Sequence, residues 1–201
     1  MLDPLNETDI SPDPFQQFER WFGEALAAGV PEVDAMTLAT VTADCSPDAR
    51  IVLLKKFDSN GFVFYTNYQS RKAKELEAKA RACLLFYWLP LKLQVRIEGT
   101  VERISDKESD AYFQTRPLGS KLGAWASNQS EVIASRTELE KRFAEFKVKF
   151  GDDVPRPSHW GGYRVKPTSI EFWQGREDRL HDRIRYVFEH DGSWRVERLA
   201  P

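Results

Sequence analysis

Residues 179–183 read Arg-Leu-His-Asp-Arg, and in an extended chain alternate side chains share a face, so Arg179, His181 and Arg183 stand together while Leu180 and Asp182 point away. Three potential cations so placed repel one another and persist where something negative offsets them. Carboxylates on neighbouring strands would make this a surface ion-pair ladder; a bound phosphate or anionic ring would make it a site. A second segment, Arg50-Ile51-Val52-Leu53-Leu54-Lys55, is an apolar strand core with a cation at either end. The spacing puts Arg50 and Lys55 on opposite faces of a regular strand. It predicts different neighbours for them, a ligand for one and a partner for the other, or solvent for both.

At Ser70-Arg71-Lys72 a helix start is followed at once by two cations. A helix N-terminus already presents free N–H groups and the positive end of its dipole, so cations there are misplaced unless they are well solvated or an anion binds. Farther along, Lys74, Lys79 and Arg81 are interleaved with Glu75 and Glu77, the pattern of a solvated face rather than a nucleic-acid surface. In Tyr112-Phe113-Gln114-Thr115-Arg116-Pro117-Leu118-Gly119-Ser120, Tyr112 and Arg116 fall on one helical face and Pro117 ends the helix. An arginine fork flanked by hydroxyls suits a phosphate. Trp125 and the run Glu171-Phe172-Trp173-Gln174-Gly175 read as core, and His159 and His190 as loop residues.

The elements that must position these groups follow from periodicity. Asp13-Pro14 is an N-cap with a preset first residue, and Phe15, Phe18, Phe22, Ala25 and Leu26 recur at helical spacing until Gly29. From Ala35 to Trp88 short β-like runs, MTLATVTA, ARIVLLKKF and FVFYTN, alternate with turn chemistry. A helix over RKAKELEAKARA precedes the strands CLLFYW and LQVRIEGTVERI, and capping-box spacing at Ser105/Glu108 and Ser135/Glu138 marks helices near 106–115 and 136–150. The strands GGYRVKP and SIEFWQG and a hairpin about Asp191-Gly192 close the chain. Strands without βαβ alternation predict a mainly β, antiparallel barrel with peripheral helices, an α+β arrangement.

Whole-chain properties narrow the chemistry. The 201 residues carry a formal charge of −2, which gives no bias toward nucleic acid or anionic membranes. No apolar run approaches membrane length and the start lacks a targeting signature, so the expected setting is cytoplasmic. Cys45 and Cys83 have neither disulfide nor metal-site spacing, and no metal is expected. Dinucleotide, P-loop, nucleophile-elbow and zinc-protease signatures do not occur.

In order along the chain, RIVLLK (50–55), VFYTNYQSRKA (63–73), QVRIEG (94–99), YFQTRPLGS (112–120), GAWASNQS (123–130), WGGYRV (160–165), EFWQG (171–175), RLHDR (179–183) and the terminal RLAP resemble the pyridoxamine 5′-phosphate oxidases. The resemblance covers nearly the whole chain from Asp13. It implies an FMN-binding split barrel, one domain over residues 13–201; residues 1–12, polar and without periodicity, read as a flexible or surface-draped segment. It also implies a homodimer with two FMN sites at the interface.

By that likeness FMN is held by Arg50, Ile51, Val52, Leu53, Leu54 and Lys55, by Tyr65, Thr66, Arg71, Lys72, Gln94, Gln129 and Ser130, and by Trp173 and Arg183. The substrate is held by Lys55, Tyr112, Arg116 and Ser120 about its phosphate and by Arg179 and His181 at its ring. Arg179 positions the substrate and stabilises charge, and His181 is either proton acceptor or ring contact. The implied reaction takes pyridoxine or pyridoxamine 5′-phosphate to pyridoxal 5′-phosphate with O2 as acceptor, releasing hydrogen peroxide, and ammonia from the amine. Alternatives are a related FMN oxidase for a larger aromatic substrate, as in phenazine biosynthesis, and a non-catalytic carrier of flavin or pyridoxal phosphate. Three features depart from the family pattern. Residues 1–12 lack the basic, tyrosine-containing lid sequence, Leu93 stands in place of Arg, and Lys121 in place of Gln.

Overall fold

Asp13 begins the first helix as its chemistry predicts. In a computed structural model, which describes residues 4–201, α1 spans Pro14–Ala27 and Asp13 Oδ1 accepts the Phe15 N–H at 2.8 Å. Its apolar stripe drives Phe18 into the sheet, edge-on to Phe57, Phe62 and Phe86 at 4.9, 4.9 and 5.2 Å.

That sheet holds nine strands: β1 (Ala35–Val41), β2 (Pro47–Leu53), β3 (Lys56–Asp58), β4 (Gly61–Asn67), β5 (Arg81–Trp88), β6 (Leu93–Arg103), β7 (Trp160–Gln174), β8 (Asp182–Phe188) and β9 (Trp194–Arg198). Their order is β2-β1-β5-β6-β7-β4-β3, with β8 on β7 and β9 on β8, every pairing antiparallel. Period-two alternation puts Met36, Leu38, Leu84, Phe86, Val95, Ile97, Ile170 and Phe172 on one buried face. β7 borders β6 throughout, β4 with its first half and β8 with its second. Between the halves the register shifts at Glu98/Gly99, and a Cβ on Gly99 would sit 2.1 Å from the Lys166 carbonyl oxygen. Only glycine permits that approach, and the irregularity helps to curl the sheet into a half-barrel.

The remaining helices are α2 (Arg71–Ala78), α3 (Asp106–Thr115), α4 (Leu118–Ala126) and α5 (Arg136–Phe150). The capping box at Ser105/Glu108 is complete. At the α5 start Ser135 accepts the Glu138 N–H, but Glu138 turns to the Ala134 N–H instead. A smaller core of Phe113, Leu122, Val154 and Trp160 lies beneath α3 and α4.

Several boundaries differ from expectation. α2 stops at Ala78 because Arg81 and Ala82 are recruited into the β5–β6 ladder. The run ARIVLLKKF divides after Leu53, where Lys55 leaves β2 and its N–H pairs with Val63. GGYRVKP and SIEFWQG form one continuous β7. α4 escaped the sequence reading because Gly119 and Gly123 dilute its pattern, and Pro117 not only ends α3 but caps α4. Of the segment expected to be flexible, residues 1–3 lie outside the described residues. Leu5 is buried, its N–H donates to Asp182 and its carbonyl accepts from Arg198 at 2.8 Å. Among the described residues no helix is long and apolar enough to cross a membrane, and no group of three metal-binding side chains forms.

Candidate active site

β2 is an edge strand of the sheet, and along it opens a cavity of ≈ 670 Å³, a size usual for small-molecule sites. Arg50, Ile51, Val52, Leu53 and Lys55 line one side; Tyr65, Thr66, Lys72, Tyr112, Arg116, Ser120, Gln129 and Ser130 line the rest. Arg50 and Lys55 thus border one cavity, contrary to the opposite-face expectation. The alternation that would have separated them ends with β2 at Leu53.

The start of α2 supplies one cationic wall. Lys72 is buried, and its Nζ donates to Gln129 Oε1 at 3.2 Å, an oxygen that also accepts from Thr66 at 3.0 Å. Burial, then the nearby Arg50 charge, pushes the Lys72 ammonium below its ordinary pKa. Arg50 donates to Thr40 and pairs with Glu75 at 2.9 Å, and Arg71 bridges Glu75 and Asp48, each at 3.0 Å. Arg71 itself is exposed and does not line the cavity, and Leu54 is buried away from it. The N-cap hydroxyl of Ser70 is buried without a hydrogen-bond partner among the described residues, an orphaned group at a helix N-terminus among cations.

The opposite wall is aromatic and carries Arg116. Tyr112 stacks on Tyr65 at 3.9 Å, and Tyr65 lies parallel to Trp160 at 5.3 Å. Burial, then the Tyr112 ring, lifts the Tyr65 phenol to about 12, so it stays a neutral hydroxyl. Among the described residues Arg116 Nη1 is buried with no hydrogen-bond partner, and burial lowers the guanidinium pKa from its usual value. Lys55 pairs with Asp34 at 2.7 Å.

Gln94, Trp173 and Arg183 form a separate row across β6, β7 and β8. In β7 twelve residues separate Trp173 from Gly161, the partner of Thr66, or up to about 40 Å of strand before bending. The row and the cavity therefore stand at opposite ends of one strand. The three-cation face expected over 179–183 does not form. Asp178 and Arg179 take left-handed turns (φ 54° and 62°), and β8 starts only at Asp182. Arg183 meets the carboxylate alternative, donating to buried Glu171 at 2.8 Å. His181 rests on Trp173 at 4.7 Å, and its Nδ1 accepts the Arg176 N–H at 3.0 Å. That bond occupies Nδ1 and leaves Nε2 as the ring nitrogen open to a ligand.

The family model described as Pyridoxamine 5′-phosphate oxidase matches residues 22–150, and that described as Pyridoxine 5′-phosphate oxidase C-terminal dimerisation region matches residues 160–201. The chain belongs to the pyridoxamine 5′-phosphate oxidase family. This is a family of oxidoreductases. The chain is 60% identical to the pyridoxine/pyridoxamine 5′-phosphate oxidase of Cupriavidus metallidurans, over 100% of this chain and 95% of that protein. PhzG from Burkholderia lata, solved with tetrahydrophenazine-1-carboxylic acid, superposes with a TM-score of 0.93 at 32% identity, covering 100% of this chain and 99% of that one. An FMN-binding protein from Nostoc punctiforme related to the family shares the fold at a TM-score of 0.77 and 19% identity, covering 96% and 100% of the two chains.

The cavity also recruits Asn67, Gly123, Ala124, Ser127 and Trp160, which the sequence reading did not place in a site. All five fall inside the family-like motifs at 63–73, 123–130 and 160–165, and that adjacency was the available signal. Of the two other departures, Leu93 is fully buried in the core and Lys121 donates to Gln114 at 3.0 Å on the surface.

Proposed function

We propose that this chain is a homodimeric, FMN-dependent oxidase of pyridoxine 5′-phosphate or pyridoxamine 5′-phosphate, forming pyridoxal 5′-phosphate with O2 as the electron acceptor. The observation that carries the reading is the unpartnered guanidinium of Arg116 in a cavity it shares with Lys55, Tyr112 and Ser120. A half-buried guanidinium with a buried, unpartnered nitrogen is costly, and a phosphate dianion relieves it.

The residues present fit FMN. Lys72, Arg50 and the orphaned Ser70 hydroxyl gather at the α2 N-terminus, suited to a second phosphate, and the open β2 edge offers backbone groups to a planar heterocycle. Bound there, FMN supplies the two-electron acceptor, and the protein supplies position and electrostatics. Gln94, Trp173, Arg179, His181 and Arg183 cannot reach the same ligand from one chain. A second copy would bring them, which accords with the dimerisation region matched over 160–201. Exposed apolar side chains on the flank that such a copy would cover support this: Ile51 and Leu53 of β2 and Tyr87 of β5 are 64, 42 and 52% exposed.

In the assembled site Lys55, Arg116, Ser120 and Tyr112 hold the substrate phosphate. His181 donates from Nε2 to the ring substituents, and Arg179 offsets charge that develops at the reacting carbon. Water is excluded by the Tyr65–Tyr112–Trp160 stack on one side and the partner's surface on the other.

The test is turnover. Purified protein with FMN, air and either B6 phosphate should form pyridoxal phosphate and hydrogen peroxide; a yellow protein that binds both ligands and never turns over would leave the carrier reading standing. The likeness to PhzG favours one further comparison, with a reduced tricyclic carboxylic acid as substrate. Preference for that acid over both phosphates would displace the proposal.

A further inference from the structure

Every other cation around the cavity already has a polar partner: Arg50, Arg71 and Lys55 have the carboxylates of Glu75, of Glu75 and Asp48, and of Asp34, and Lys72 has the neutral Gln129 amide. Among the described residues Arg116 has none: no carboxylate comes within ion-pair distance of it, and its Nη1 is an orphan. What it has is an aromatic bed, with its Cζ 4.5 Å from the centre of the Trp160 ring and 5.5 Å from that of Phe113.

Resting on the reading of this cavity given above, we propose that Trp160 is a positioning residue for recognition of the substrate phosphate: its indole face carries the Arg116 guanidinium in place of a carboxylate. A carboxylate would offset the buried charge, but it would occupy the planar fork that a phosphate needs and would have to be displaced. An aromatic face attracts the cation through its quadrupole and leaves the in-plane N–H donors free. The bed is rigid. Trp160 is 6% exposed, the edge of Phe113 meets it at 5.1 Å, and Tyr65 lies parallel at 5.3 Å with an interplanar angle of 8°. Its backbone is fixed as well, paired with Asn67 in β4 and accepting from Arg156 Nη1 at 2.6 Å. The guanidinium is thus held in place by a surface that competes for none of its donors. Specificity for a phosphorylated over a dephosphorylated substrate then depends on a residue that does not itself touch the phosphate.

The experiment compares W160F and W160L with the unaltered FMN-loaded enzyme. It reads kcat and KM for the B6 phosphate, kcat/KM for the dephosphorylated vitamer, Ki for inorganic phosphate, FMN Kd and thermal midpoint. W160L should raise KM for the phosphate ester and Ki for inorganic phosphate together by about tenfold, and W160F by roughly threefold. In both variants any change in kcat, in FMN affinity or in kcat/KM for the dephosphorylated vitamer should be smaller than the rise in KM for the phosphate ester. Unchanged Ki and KM in either variant overturn the proposal. So does an equal loss with the dephosphorylated vitamer, which marks plain structural support. If W160L does not fold, W160F alone decides by the same signs. Arg116→Met separates the two levels: should it leave KM for the phosphate ester unaltered, the assignment of the phosphate to this cavity fails first.

Discussion

Lys72 Nζ donates to Gln129 Oε1 at 3.2 Å, which joins the first turn of α2 to the loop after α4, 57 positions along the chain. Among the described residues the buried ammonium has no ion-pair partner, and that one amide oxygen also serves Thr66. Gln129→Ala should therefore weaken FMN binding by about tenfold, the loss of one hydrogen bond made by a charged group. Quenching of flavin fluorescence on titration measures it, and an unchanged Kd would place FMN elsewhere.

Glu75 is buried and accepts from Thr40 Oγ1 at 2.6 Å, Arg50 at 2.9 Å and Arg71 at 3.0 Å. Removing one partner from such a network leaves uncompensated buried charge. Glu75→Ala should lower unfolding stability by about 3 kcal/mol or more, with Glu75→Gln costing less. Urea denaturation of the protein reads both, and a loss below about 1 kcal/mol for the alanine variant would show the network to be dispensable.

Lys55 is expected to serve the substrate phosphate, yet its ammonium pairs with Asp34 at 2.7 Å and both side chains are partly exposed. Substrate must compete with that carboxylate. Asp34→Asn should lower KM for the phosphate ester by about two- to fivefold, the yield of a partly exposed pair, and leave kcat unchanged. A raised KM in steady-state assays would mean that Asp34 positions Lys55 and does not compete.

The Arg198 hydrogen bond, and less so its charge, hold the Glu7 carboxyl at about 2, below its ordinary 4.5. A depressed carboxyl contributes stability above its unfolded pKa, and that contribution fades as pH falls from 4.5 toward 2. Because Glu7 is half exposed (49%), the contribution is ~1 kcal/mol or less and not the full shift. Glu7→Gln should lower the thermal midpoint at pH 7, and the difference should shrink steadily below pH 4.5. A difference independent of pH would exclude the ion pair as its cause.

Much of the scaffold was legible because its rules are local. Asp13 and Ser105 announce their helices through a side chain one turn from the groups it caps, and strands β1, β5 and β6 alternate between buried and more open positions as their apolar residues do. The boundaries that failed were those decided by a partner strand, as when β5 takes Arg81 from the end of α2. Arg179 in a left-handed turn likewise carries no signal in residue type, and Asp178 beside it only the weak preference of aspartate for that region.

For the site, residue types and motif order by themselves marked which cations and hydroxyls suit phosphate-bearing ligands, because charge and donor geometry are properties of the side chains alone. Only the tertiary structure decided which cations are already neutralised. Lys55 and Arg183 find carboxylates at 2.7 and 2.8 Å, while Arg116 finds the face of Trp160. Pairing depends on which strands and helices are brought within a few ångströms, and that distance is set by the folding of β7 against β4 and α3, not by position along the chain.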